Sequence, residues 1–218
     1  MPVRPRPPAK AAPSHYFSPD TARLSPEEQR LARRLPVKMG DLQLQFLTGA
    51  GTFSKSSLDE GSALLVEILI QQGDFPDAAR VCDLGCGWGA VGALWAKTHP
   101  AHSVYSLDIN PRAVQLAGLN FAHNEIENAV AWCGDGLGAA RTEFFDCVAF
   151  NPPIRAGNQV IERLFRDAHG SLKAGGQLWA VIRTSQGAKT WAKKLETLFG
   201  SCETVEMRGG YRILKATK

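Results

Sequence analysis

The 218-residue sequence has no apolar run long enough to cross a bilayer. Its first residues lack the apolar segment of a secretory signal. Both absences set the expectation of a cytoplasmic protein that works without a membrane. Five cysteines, at positions 82, 86, 133, 147 and 202, are an odd number with no CxxC pair. That argues against a disulfide framework or a zinc site and for free, mostly buried thiols. Histidines at 15, 99, 102, 123 and 169 form no HExxH and no cluster with cysteine, so no metal is expected. There is no internal repeat. Neither sign of charge dominates: 25 Lys and Arg face 21 Asp and Glu.

The charge is instead unevenly spread. Residues 1–40 hold 8 basic against 3 acidic side chains, residues 41–168 hold 8 against 15, and residues 169–218 hold 9 against 3. Basic flanks around an acidic centre suit an anionic macromolecule gripped at the edges and a cationic or neutral ligand in the middle. Solvated lysines without a partner fit the same numbers.

Hydrophobic patterning predicts one α/β domain with an extension. Residues 1–14 are basic and Pro-rich, a flexible tail. Residues 15–78 form the extension, predicted as a helix, a hairpin and a second helix. Its first helix starts at Ser25-Pro26-Glu27-Glu28, with Ser as cap and Pro at the first helical position, and runs to about Leu35 before Pro36. Leu42–Leu47 alternates as a half-buried strand, with Thr52-Phe53-Ser54 returning after a Gly turn, and Leu58–Gln72 is helical. From residue 79 to the end, strands and helices alternate: strands at 80–84, 103–107, 129–133, 144–150 and 177–184, with helices at 90–97, 111–123, 159–172 and 187–199. Such alternation means a mostly parallel sheet with helices on both faces. The last two strands, 202–207 and 211–216, have no helix between them, so the final one should run antiparallel.

Two loops carry the chemistry. The first strand of the alternating series ends in Asp83-Leu84-Gly85-Cys86-Gly87-Trp88-Gly89-Ala90. Alternate glycines let the backbone turn sharply and approach a ligand, and the loop feeds a helix N-terminus. Asp108 closes the next strand at a spacing suited to a ribose hydroxyl pair. A dinucleotide also fits loosely, but Asp83 would face its pyrophosphate with like charge, and nothing basic lies between Asp83 and Lys97. An adenosine carrying a sulfonium and an ammonium suits that carboxylate.

DLGCGWG, then LDIN, GDG and NPP on successive strands resembles the class I S-adenosylmethionine-dependent methyltransferases. The resemblance implies a Rossmann-like, seven-stranded sheet with an antiparallel last strand, and S-adenosyl-L-methionine as cofactor. It implies that Asp83, Gly85, Cys86, Gly87 and Gly89 line the methionine end. Asp108 would bind the ribose and Ile109 pack on adenine, with Asp135 and Gly136 at the adenine edge and Asn151 nearby.

The second loop, Asn151-Pro152-Pro153-Ile154, explains itself by the needs of an amine. An exocyclic amine has a delocalised lone pair and must become tetrahedral, with growing positive charge, to attack a methyl group. Acceptors aimed at its two N–H bonds favour that change. The Asn151 side-chain oxygen and the Pro152 carbonyl can supply them, and the prolines stiffen the loop. No strong base is needed. Amine methyltransferases usually follow this motif with Tyr or Phe, which stacks on the target. Here Ile154 stands there, so another aromatic is wanted: Phe53 first, then Tyr16 and Phe17.

NPPIRAG, with HYFS at 15–18, GTFSK at 51–55 and GGYR at 209–212, resembles the small-domain family of the bacterial 16S ribosomal RNA guanine-N2 methyltransferase, in its catalytic half only. That implies an enzyme acting on guanine N2 in small-subunit ribosomal RNA, free or within a 30S particle. The oligomeric state is left open by the sequence, with a monomer slightly favoured. A tRNA base or a protein glutamine amide remains an alternative substrate. A non-catalytic RNA-binding module on the same fold is the alternative of another class.

Overall fold

The computed structural model describes residues 24–30, 32–49 and 57–218. The chain opens with a short helix, α1 (Pro26–Arg30), and a two-stranded ribbon, β1 (Arg33–Met39) and β2 (Leu42–Thr48). A longer helix, α2 (Glu60–Gln72), follows. The alternating series is β3 (Arg80–Leu84), α3 (Ala90–Thr98), β4 (Ser103–Asp108), α4 (Pro111–His123), β5 (Ala129–Cys133), β6 (Phe145–Phe150), α5 (Asn158–Ser171), β7 (Leu172–Arg183) and α6 (Ala188–Phe199). Strands β8 (Glu203–Arg208) and β9 (Tyr211–Thr217) complete it.

The seven strands lie in the order β5-β4-β3-β6-β7-β9-β8. All pairs from β5 to β7 are parallel, and β9 runs antiparallel to both β7 and β8. This is the Rossmann-like sheet expected, with its antiparallel last strand. Each central strand divides its side chains by the period of two. Cys147 and Ala149 of β6 and Trp179 and Val181 of β7 join the core shared with α2, α3 and α4. Val148, Phe150, Leu178, Ala180 and Ile182 join the opposite core under α5 and α6. A sheet covered on both faces buries every residue of β6, which is why that segment reads as an apolar run interrupted only by Asp146.

Two expectations for the extension need correction. The capping box is present: the Glu28 amide donates to Ser25 Oγ and the Ser25 amide to the Glu28 carboxylate. The helix nevertheless ends at Arg30 rather than near Leu35, and Arg33–Met39 is a strand. Leu35 and Val37 are buried while Pro36 between them is exposed. Burying alternate residues outweighs helix propensity here, and a ribbon strand tolerates Pro36. The partner of β2 is therefore β1, joined through Gly40-Asp41 with Gly40 at φ 57°. Thr52-Phe53-Ser54, read as the returning strand, lies outside the described residues.

Asn120 on α4 and Asn124, which caps its C-terminus, take over the other edge of β2. Asn120 Oδ1 accepts from the Leu47 amide and its Nδ2 donates to the carbonyls of Leu47 and Trp88. Asn124, one turn on, accepts from the Gln45 amide and donates to its carbonyl. Spacing of i and i+4 on the helix matches alternate residues on the strand, so two amides imitate a third strand. Phe46 seals the joint, edge-on to Trp88 with ring centroids 4.9 Å apart, a contact worth about 1 kcal/mol beyond its area.

A third difference concerns β7, which begins at Leu172 rather than near Gln177. Gly175 and Gly176 look like loop residues. In the structure they pair with the last residue, Gly175 N–H donating to the Lys218 carbonyl and Lys218 N–H to the Gly176 carbonyl. Pairing with Lys218, distant in sequence, makes them part of a strand. Among the described residues no helix is long and apolar enough to cross a membrane.

Candidate active site

Strand order reverses between β3 and β6, since the chain first builds outward through β4 and β5 and then returns to the other side of β3. In open parallel sheets the crevice at the carboxyl ends of the strands at such a point takes the ligand. Leu84 is in register with Leu107 on one side and Phe150 on the other. The glycine loop, Asp108 and Asn151 therefore leave three adjacent strands at one level, about 5 Å apart.

Backbone bonds tie these loops together. The Gly85 and Cys86 amides both donate to the Leu107 carbonyl, at 2.7 and 2.9 Å, and the Gly134 amide donates to the Asp108 carbonyl at 3.0 Å. Asp108 Oδ2 accepts from the Gly87 amide at 2.9 Å and Oδ1 from the Asn110 amide at 2.8 Å. One carboxylate thus fixes both the glycine loop and the turn holding Ile109. Burial raises the Asp108 pKa, and the amides of Asn110, Gly87 and Ile109 pull it back.

Asp83 is turned beneath the loop. It is 5 % exposed, and its Oδ2 accepts from the Gly92 amide in the first turn of α3 at 2.9 Å. Gly92 permits this approach, because a Cβ there would lie well inside contact distance of Ser106 Oγ and 3.3 Å from Asp83 Oδ2. Burial pushes the Asp83 carboxyl up to about 7, against the pull of the Gly92 amide and helped by the nearby Asp108 charge.

Gly89, at φ 85°, closes the loop onto α4. A Cβ there would lie 2.8 Å from Ala117 Cβ and 3.1 Å from Ala117 Cα. The backbone of α4 cannot rotate away as a side chain could. Gly89→Ala should therefore cost about 2 kcal/mol or more in a urea titration. A midpoint equal to that of the native protein would show that the loop and α4 are not locked together.

The remaining sequence candidates are spread around this crevice. Cys86 is half-buried, its thiol donating to the Gly87 carbonyl at 3.5 Å. Asp135 is exposed and ion-paired with Arg163 of α5 at 2.6 Å, while Arg163 also donates to the Asp135 carbonyl. Gly136, at φ 79°, lies where a Cβ would meet Leu164 Cδ2 at 2.6 Å. Pro152 is buried and Pro153 half-buried. Ile154 begins a short 3-10 turn, Ile154–Ala156, and leans on the core beneath α5. Phe53, Tyr16 and Phe17 lie outside the described residues.

Asn151 does not stand alone. Its Nδ2 donates to Ser62 Oγ at 3.0 Å and to the two carboxylate oxygens of Asp59 at 3.3 and 3.4 Å. Sequence reasoning missed Asp59, Ser62 and Arg163. Asp59 was legible only as a helix cap: Leu58-Asp59-Glu60-Gly61-Ser62 has the form of a helix start, and Asp59 Oδ1 does accept from the Gly61 and Ser62 amides.

The donor set suits an adenosine with a cationic tail better than a dinucleotide. A Cβ at Gly87 would meet nothing within 4 Å, so the loop faces open space. Lys97, the first basic side chain after Asp83, sits at the far end of α3, donating to the Asn124 and Glu125 carbonyls. It cannot neutralise a phosphate on the loop.

Comparison with known proteins agrees with this geometry. The family model described as "Methyltransferase small domain" matches residues 43–215. The uncharacterized protein YbxB of Bacillus subtilis (strain 168) is 34% identical over 208 residues, covering 94% of this chain and 98% of YbxB. Ribosomal RNA small subunit methyltransferase C of Pseudomonas entomophila (strain L48) is 33% identical over 194 residues, covering 87% of this chain and 56% of that protein. The chain thus spans little more than half the length of these ribosomal RNA methyltransferases. Among solved structures, the T. thermophilus 16S rRNA N2 G1207 methyltransferase (RsmC) in complex with AdoMet and guanosine superposes with a TM-score of 0.75. It is 25% identical, over 85% of this chain and 50% of that one. The chain belongs to the methyltransferase small-domain family.

Proposed function

We propose that the protein transfers a methyl group from S-adenosyl-L-methionine to an exocyclic amine, the N2 of a guanine in small-subunit ribosomal RNA. The observation that carries this reading is the placement of Asn151-Pro152 directly after β6, one strand from the glycine loop of β3. An amine acceptor and a cofactor loop then face each other across the crevice. Asp108 would hold the ribose and the glycine loop the methionine end, with Asp83 behind it. The cofactor supplies an electrophilic methyl group when bound. Asn151 Oδ1 and the Pro152 carbonyl orient the amine and stabilise its growing positive charge. No side chain here must act as a strong base before transfer.

Exposed cations stand at the same end of the sheet. Arg155 follows β6, Arg183 and Arg208 end β7 and β8, and Lys189 opens α6. They suit RNA phosphates around the crevice. Ile154, resting on the core, leaves base stacking to another side chain.

Tritiated donor, incubated with ribosomal particles and with tRNA and followed by nucleoside analysis, tests the reading. Labelled N2-methylguanosine from small-subunit RNA is expected. Label in tRNA or in protein would replace this substrate with another amine, and no label anywhere would leave an RNA-binding module.

The Asp83 pKa gives a separate expectation. In the free protein this carboxyl is about half protonated near pH 7. A cationic ligand favours the ionised form, so binding should release a proton below that pH. Affinity should rise with pH, by up to about tenfold per unit, and level off above about 7. Calorimetry in buffers of different ionisation enthalpy reads both the affinity and the proton. A flat profile from pH 5.5 to 8 would remove Asp83 from the cofactor's surroundings.

A further inference from the structure

The motif Gly209-Gly210-Tyr211-Arg212 and the cap of α2 both lie outside the cofactor loops, yet Tyr211 packs on the first turn of α2 and the cap reaches Asn151. Tyr211, at the start of β9, packs on the first turn of α2: a Cβ at Gly61 would lie 2.9 Å from Tyr211 Cε1. Arg183 lies over the Tyr211 ring, 4.4 Å from its centroid. The N-terminus of α2 is thereby pressed against the carboxyl ends of the strands. Its cap, Asp59, is brought to Asn151, 92 residues away in sequence.

An amide group has two nearly equivalent orientations, and only one presents oxygen to an amine. A carboxylate can only accept hydrogen bonds. Asn151 must therefore turn Nδ2 toward Asp59, because the flipped amide would set oxygen against oxygen. Ser62 Oγ takes the same nitrogen at 3.0 Å. Among the described residues nothing donates to Asn151 Oδ1, which is left as the acceptor. The carboxylate also polarises the amide, drawing positive character to its N–H groups and negative character to Oδ1.

We infer that Asp59 is a positioning residue: with Ser62 it locks the Asn151 amide so that its Oδ1, and not its Nδ2, meets the substrate amine. This rests on the proposed amine chemistry and adds a residue to it. The arrangement has the logic of an orienting carboxylate behind a reacting group, with Asp59 touching neither cofactor nor substrate.

Asp59→Ser tests it, because serine still caps α2 while the carboxylate is lost. In nitrogen-edited spectra the Asn151 side-chain amide is identified by its disappearance in Asn151→Ala. Its two protons should be well separated and slow to exchange in the native protein, and should collapse toward free-amide values in Asp59→Ser. In single-turnover transfer, Asp59→Ser should slow the rate roughly tenfold or more, with cofactor affinity and RNA KM within about twofold. In the Asn151→Ala background the same substitution should change nothing further. An unchanged amide signal, a full rate, or an equal fractional loss in both backgrounds would each overturn the inference. If the native protein methylates no amine, the proposed function falls and the amide signal alone decides the Asp59–Asn151 lock.

Discussion

Asn151→Ala should slow methyl transfer by roughly a hundredfold or more while leaving cofactor affinity within about twofold. The substitution removes the side-chain acceptor and leaves the glycine loop and Asp108 untouched. A hundredfold is about 2.7 kcal/mol of transition-state stabilisation, the scale measured when one preorganised hydrogen-bond partner is removed from an active site. The fold should survive, because Asp59 keeps its bonds from the Gly61 and Ser62 amides and α2 keeps its cap. Tritium transfer at saturating RNA, set beside a calorimetric cofactor titration, separates the two quantities. A fully active Asn151→Ala protein would remove the amine mechanism.

The complementary experiment strikes the cofactor and spares the acceptor. Asp108→Ala should reduce S-adenosyl-L-methionine binding below calorimetric detection. Two losses combine. A ribose would lose its acceptor, and the amides of Gly87 and Asn110 would lose the carboxylate that holds both loops. Hydrogen bonds to a charged group contribute about 1.5–3 kcal/mol each, so losing two or more lowers affinity by several orders of magnitude. Asp108→Asn, which retains one accepting oxygen, should bind with intermediate strength. Unchanged affinity in Asp108→Ala would remove the cofactor site from this end of the sheet.

Much of this was legible in the sequence because the signals are local. Alternation of strands and helices follows from periodicity within each segment, and β3, α4 and β5 begin and end where their residues predict. The glycine loop is legible because it needs a left-handed backbone at Gly85, Gly87 and Gly89, which few residues besides glycine supply. Legibility failed where a distant partner decides the outcome. Arg33–Met39 has a capped helix start before it and a proline inside it, and only pairing with β2 makes it a strand. Asp135 stands where the family's adenine edge would be, but nothing nearby in sequence predicts its ion pair with Arg163.

The sequence by itself determined the layered sheet, the glycine loop and the Asn-Pro-Pro loop, because each is written in contiguous residues with their own backbone demands. Only the tertiary structure decided which way Asn151 faces. That choice belongs to Asp59, held in place by Tyr211 and Gly61, and the contacts join segments far apart in the chain. A side-chain amide has no intrinsic preference between its two orientations, so packing has to impose one.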